Sequence, residues 1–229
     1  MLLRLLPFLA LILYGLLLWH FSARSLARAL DANSRRLNDT RLAPVLERLR
    51  LALGVPELPV HVYQVAPVNG LAAPDGRIFL TEGFMDLYRA GRVSPEEIAA
   101  VIAHELGHVA RGHARRRMID FSGQNALRVV LMGVLGRLIP VLGIWIADIL
   151  TTALVARLSQ RDEYEADEFA SALLIKAGIG TAPQVSLFEK LDALTGNAGA
   201  GAPAWLLSHP ATPERIAAIR ANCTRWGAA

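Results

Sequence analysis

Residues 94–113 read SPEEIAAVIAHELGHVARGH, and the rest of the chain is organised around them. Ser94 is placed to cap a helix, Pro95 suits its first position, and Glu97 completes a capping box three residues after the cap. At 3.6 residues per turn, His104 and His108 lie about 40° apart on one face, while Glu105 is turned about 100° from His104. This HExxH spacing puts two imidazoles within reach of one cation, with a carboxylate beside them to take a proton from an activated water. The plainer reading is an exposed amphipathic helix with two ordinary histidines. However, Ile98, Ala99, Val101, Ile102, Ala103, Leu106 and Val109 make the helix apolar nearly all round. Such a helix is buried, and unpaired histidines and a glutamate would be costly in a core.

The longer HExxHxxGxxH pattern calls for glycine at 111 and histidine at 114, where this chain has Arg111 and Ala114. His113 falls about 180° round the helix from His104 and so faces away from the cation. The remaining ligand must come from elsewhere, and the stretch 161–170, RDEYEADEFA, offers one. Glu163 and Asp167 share a helix face, and Ala166 and Ala170 are small enough for close helix packing. Glu163 is the candidate ligand and Asp167 a candidate partner that orients a ligand histidine. The alternative is an exposed acidic helix paired with Arg157 and Arg161.

AHELGHVARGH at 103–113, EYEAD at 163–167, SHPATPER at 208–215 and a looser run from Asn69 to Gly83 occur in this order. With them the chain resembles the HtpX-like membrane zinc metallopeptidases, a group that includes CAAX prenyl endopeptidases and related quality-control proteases. The resemblance covers about residues 44–220. It implies a gluzincin-type domain with His104, His108 and Glu163 holding one Zn²⁺ per chain and Glu105 as general base. His209 and Arg215 correspond to the family's pair beside the active site, with His209, and Arg215 after it, stabilising the oxyanion; the alternatives for Arg215 are to hold His209 or to pair with a carboxylate in the site. It also implies polypeptide substrates, in misfolded or membrane proteins. HtpX has two amino-terminal hydrophobic segments where this chain has one. A CAAX prenyl endopeptidase resembles a many-helix membrane chamber, for which this sequence has too few apolar segments. A rival of another class is a membrane-attached zinc protein that binds clients without cutting them; Glu105 argues against it, since structural sites close with four ligands.

Composition is 53% hydrophobic, more than one globular domain of this length needs, which points to membrane. The one cysteine, Cys223, excludes an internal disulfide and a cysteine-based metal cluster. Net charge is +4, and the basic clusters at 24–50 and 111–117 adjoin hydrophobic segments. Anionic lipid is therefore the expected partner and nucleic acid is not.

Residues 2–21 are long enough to cross a bilayer and define an anchor over residues 1–23, with the metallopeptidase domain at 24–229. Arg24, Arg28, Arg35 and Arg36 follow the anchor and put the catalytic part on the cytoplasmic side of the inner membrane. Cleavage of residues 1–29 as a signal peptide is the alternative, and would export the enzyme. His108 and Glu163 must meet at one metal, so the apolar stretch 126–158 between them crosses a bilayer an even number of times. Two crossings need about 40 residues, more than this stretch has, so a shallow membrane-associating hairpin is expected, with a buried helical pair as the alternative.

The fold class expected is mainly α with a small β-sheet. Helices are predicted at 44–53, 84–90, 183–195 and from Thr212, and strands at 59–65 and 77–81. The strand at 77–81, just before the zinc helix, is expected to be a sheet edge on which an extended peptide adds. Gly196 to Ala202 reads as a flexible loop suited to a lid.

Overall fold

The computed structural model describes residues 31–73, 75–113, 142–197, 205, 206, 209, 210 and 212–226, with scattered positions before 31 and between 131 and 139. The chain forms two compact units. Of the expected lid at 196–202, Gly196 and Asn197 belong to the end of a helix rather than to a loop, and the rest lies outside the described residues, as do most of the expected anchor and most of the first arm of the expected hairpin.

The larger unit comprises Asp31–Arg111 and Asp162–Ala229. It is mainly helical, with a four-stranded sheet. Its elements begin with β1 (Ser34–Arg36), α1 (Ala43–Leu53), β2 (Val60–Tyr63), β3 (Gly70–Ala72), β4 (Ile78–Thr81), α2 (Glu82–Arg89) and α3 (Pro95–Ala110). Then come the second half of α4 (Leu142–Lys176), α5 (Ala182–Asn197) and α6 (Pro213–Arg225). Helix ends follow local chemistry. Gly54, in the left-handed region at φ 72°, closes α1 by donating to Arg50 O and Leu51 O. Thr81 and Thr212 cap α2 and α6.

The sheet order is β1-β2-β4-β3, with β2 and β4 parallel and the outer pairs antiparallel. Strands β2 and β4 fall where alternation predicts them. Two short strands were not foreseen, because three residues such as Gly70-Leu71-Ala72 carry no period. Consequently β4 is interior, hydrogen-bonded on both sides, and the edge expected of it belongs to β3. The physical reason is visible at Thr81. Its Oγ1 accepts from Asn69 N at 2.9 Å and donates to Asn69 O at 3.0 Å, which draws the 69–72 segment alongside β4.

Helix α3 runs through the core, against the sheet, α1 and α5, with Ile98 to Ala103 buried without interruption. Both capping-box bonds are present: Glu97 N donates to Ser94 Oγ at 3.2 Å and Ser94 N to Glu97 Oε2 at 2.8 Å. Glu97 also accepts from Ser186 Oγ at 2.6 Å and Lys190 Nζ at 2.8 Å, tying the start of α3 to α5.

The smaller unit holds Met1–Leu30 and Gly112–Arg161. Its principal described element is the first half of α4. The apolar stretch from Leu142 onward and the acidic stretch, read separately from sequence, thus belong to one helix of 35 residues. Leu142, Trp145, Ile149, Leu150 and Leu154 on that first half are solvent-exposed. No helix among the described residues is long and apolar enough to cross a membrane.

Candidate metal centre

Every residue of the candidate site belongs to the larger unit. Helix α3 presents His104, Glu105 and His108, all buried. The second half of α4 brings Glu163 and Asp167, one turn apart and only 3% and 2% exposed. That burial excludes the exposed acidic helix for these two carboxylates. Glu168, on another face, takes the surface role, within ion-pair range of Arg111 and Arg225.

The approach of α4 to α3 depends on Gly107. A Cβ at that position would stand 2.8 Å from both the Cα and the carbonyl oxygen of Ala166, so only glycine admits the helix this closely. At this crossing His104 Nε2 and His108 Nε2 lie 3.2 Å apart. Glu163 Oε2 lies 3.4 Å from the first and Glu163 Oε1 3.5 Å from the second. Ligands about 2.05 Å from a tetrahedral ion stand about 3.3 Å from each other, so the three residues fit a single cation. His209 Nδ1 is also present, 3.3 Å from His104 Nε2, and the four donor atoms lie within 4.8 Å of one another. Its 2.8 Å approach to Glu163 Oε2 is a hydrogen-bond length, shorter than the spacing of two ligands. His113 is not among these donors.

Behind the ligand atoms lies a second set of contacts. His104 Nδ1 donates to Asp167 Oδ1 at 2.9 Å, which leaves Nε2 with its lone pair toward the centre. Arg215 donates from Nε to Asp167 Oδ2 at 2.7 Å and from Nη2 to Oδ1 at 2.9 Å. Its Nη1 donates to Pro210 O at 2.8 Å and stands 3.3 Å from Glu163 Oε2. Arg215 therefore grips the carboxylates from behind, and Phe188 covers its guanidinium at 4.9 Å. Gln184 Nε2 reaches Asp167 Oδ1 at 3.4 Å and is itself held by Ser171.

These contacts set the charge states. Burial alone would pull His104 down, but the Asp167 and Glu163 carboxylates outweigh it and raise its pKa to about 9 in the metal-free protein. Burial pushes Glu163 up, yet hydrogen bonds from His104 and His209 hold it well below the usual range. Asp167 is likewise lowered against its burial, by His104 and Arg215. With His104 neutral, as a ligand must be, Glu105, Glu163, Asp167 and Arg215 place three carboxyl groups against one guanidinium in the interior. A dication would neutralise the excess, and a set of imidazole and carboxylate donors suits zinc.

Sequence reasoning missed Gln184, Asn69 and Trp205. Asn69 Oδ1 is buried with no hydrogen-bond partner among the described residues. The indole of Trp205 donates to Glu105 Oε1 at 3.2 Å. The available signals were the position of Trp205, four residues before His209, and that of Asn69 at the head of the 69–83 run.

A buried helix carrying two histidines and a glutamate, met by a carboxylate from a second helix, defines a metallopeptidase. The profile of peptidase family M48 matches residues 36–222, most of the chain. Metalloprotease LoiP of Escherichia coli is 33% identical over 159 residues, 69% of this chain and 60% of that protein. Metalloprotease YcaL of the same organism is 32% identical over 180 residues, 79% of this chain and 68% of its own length. Protease HtpX of Pseudomonas putida is 24% identical over 217 residues, 78% of this chain and 70% of HtpX. The chain belongs to peptidase family M48, a family of metal-dependent endopeptidases whose substrates are polypeptides.

Proposed function

We infer that this chain is a membrane-associated zinc endopeptidase acting on misfolded or membrane proteins. His104, His108 and Glu163 are its zinc ligands, Glu105 is its general base and His209 its oxyanion donor. The observation that carries this reading is the mutual 3.2–3.5 Å spacing of the three ligand residues, with Glu105 on the same helix beside them. Bound there, zinc supplies Lewis-acid polarisation of a carbonyl and lowers the pKa of a water. Glu105 takes a proton from the attacking water and returns it to the leaving amine. Asp167 keeps His104 in the ligating tautomer. Arg215 is assigned to holding Asp167 and Glu163, since those carboxylates and Pro210 O engage its Nε, Nη1 and Nη2. The β3 edge lies beside the base: a Cβ on Gly70 would stand 3.5 Å from Glu105 Oε1. An extended peptide added to that edge would pass the site.

The membrane part of the reading assigns residues 1–23 to an anchor and 24–229 to the peptidase domain, with the 126–158 segment resting on the bilayer. The exposed apolar side chains Leu142, Trp145, Ile149, Leu150 and Leu154 support contact with lipid. The arginines after residue 23 favour a cytoplasmic catalytic domain at the inner membrane; a cleaved leader would make it periplasmic instead.

Replacing Glu105 with Gln is expected to abolish cleavage of unfolded casein while leaving one zinc per chain. Turnover at the wild-type rate in that variant would refute the assignment. One observation favours a second reading, binding of clients without cleavage: His209 completes a set of four possible ligands. Zinc in wild type with no cleavage of any unfolded substrate would support it.

A further inference from the structure

A general base must present one carboxylate oxygen to the reacting centre, and a glutamate side chain has three torsions with which to turn away. In this chain one oxygen of Glu105, Oε1, is held. Trp205 Nε1 donates to Oε1 at 3.2 Å, and His209 Nε2 stands 3.6 Å from the same atom. Oε2 takes no hydrogen bond among the described residues. The indole is itself fixed. The backbone N–H of Trp205 donates to Val68 O at 2.9 Å, and its carbonyl accepts from His209 N at 2.8 Å. Its ring stacks on Phe188 at 5.4 Å and meets the edge of His104 at 5.7 Å. At 1% exposure, an indole N–H needs an acceptor, as the buried carboxylate needs a donor, and each satisfies the other. An indole nitrogen donates but does not accept, so it steadies the base without competing for its proton.

We propose that Trp205 is a positioning residue for peptide hydrolysis, its indole N–H holding Oε1 of Glu105 and so fixing the orientation of the carboxylate beside the ligand residues. This rests on the reading of Glu105 as the base. In the full-length, zinc-loaded protein, Trp205→Phe keeps the ring stack and loses the donor. It should lower kcat on a casein-derived peptide roughly tenfold. KM should stay within about twofold and zinc content should be unchanged. In a Glu105→Asp background, whose shorter side chain withdraws the carboxylate from the indole, the same substitution should add little. An equal loss in both backgrounds, or none in the first, overturns the proposal. If Trp205→Phe does not fold, benzothienylalanine at position 205 replaces only the N–H by sulfur and is held to the same outcomes. A readout free of catalysis comes from the ¹⁵N-labelled, metal-free protein. The Trp205 indole signal, assigned by its loss in Trp205→Phe, should move upfield and exchange faster in Glu105→Ala; an unmoved signal overturns the proposal. Failure of the base assignment is seen separately, as wild-type turnover by Glu105→Gln.

Discussion

His104 shows at one residue how a ligand is prepared before any ion arrives. Its Nδ1–H is committed to Asp167 at 2.9 Å, and Asp167 is in turn clamped by two bonds from Arg215. A ring held this way loses little freedom on binding metal, and its Nε2 is the more basic for the carboxylate behind it. Asp167→Asn should therefore weaken zinc binding by about 10- to 100-fold, measured by competition with a chromogenic chelator, with peptidase activity restored at higher zinc. Unchanged zinc affinity would mean that the His104 ring is held by packing alone. Buried Arg215 also depends on this carboxylate, so the variant should lose thermal stability even without metal. Glu163 and Asp167 were legible as candidates because they lie one turn apart. That both turn inward, while Glu168 faces solvent, was not, because acidic residues of one helix look alike until its buried face is known.

At the scale of elements, the site is a crossing of two helices. The start, caps and ligand spacing of α3 were readable because they rest on contacts three or four residues apart. The small residues Ala166 and Ala170 marked the face of α4 that packs closely, and their burial agrees. The closeness itself is set by Gly107 against the backbone of Ala166, which leaves no flexible side chain to yield. Gly107→Ala should cost about 1–3 kcal/mol by overpacking, read as a lower midpoint in urea. By pushing Glu163 away from the histidines it should also reduce zinc affinity more than its helix propensity would suggest. A variant that gains stability and keeps its zinc would show that the crossing has slack. Strands β1 and β3 escaped sequence reading because three-residue strands hold no period, and their partners select them.

Over the whole molecule, the buried charges link pH, metal and stability. The pKa of His104 rises from 6.5 to about 9 in the metal-free fold. Protonated His104 therefore stabilises that fold fully below pH 6.5, and the contribution is lost as pH rises through about 9. With chelator present, the unfolding temperature should fall across this interval. Zinc needs the neutral ring, so its affinity should climb over the same interval. A calorimetric pH series with and without zinc checks both signs, and Asp167→Asn should flatten both. The helices, the HExxH face, the Glu163–Asp167 pair and the family resemblance were all present in the linear chain, because caps and helical spacing act over a few residues. Only the folded chain decided that β3 forms the sheet edge, that Arg215 grips Asp167 from 48 residues away, and that Trp205 reaches Glu105 across 100. Contacts over such separations are chosen by which faces bury together, and that choice is made by the packing of the whole core.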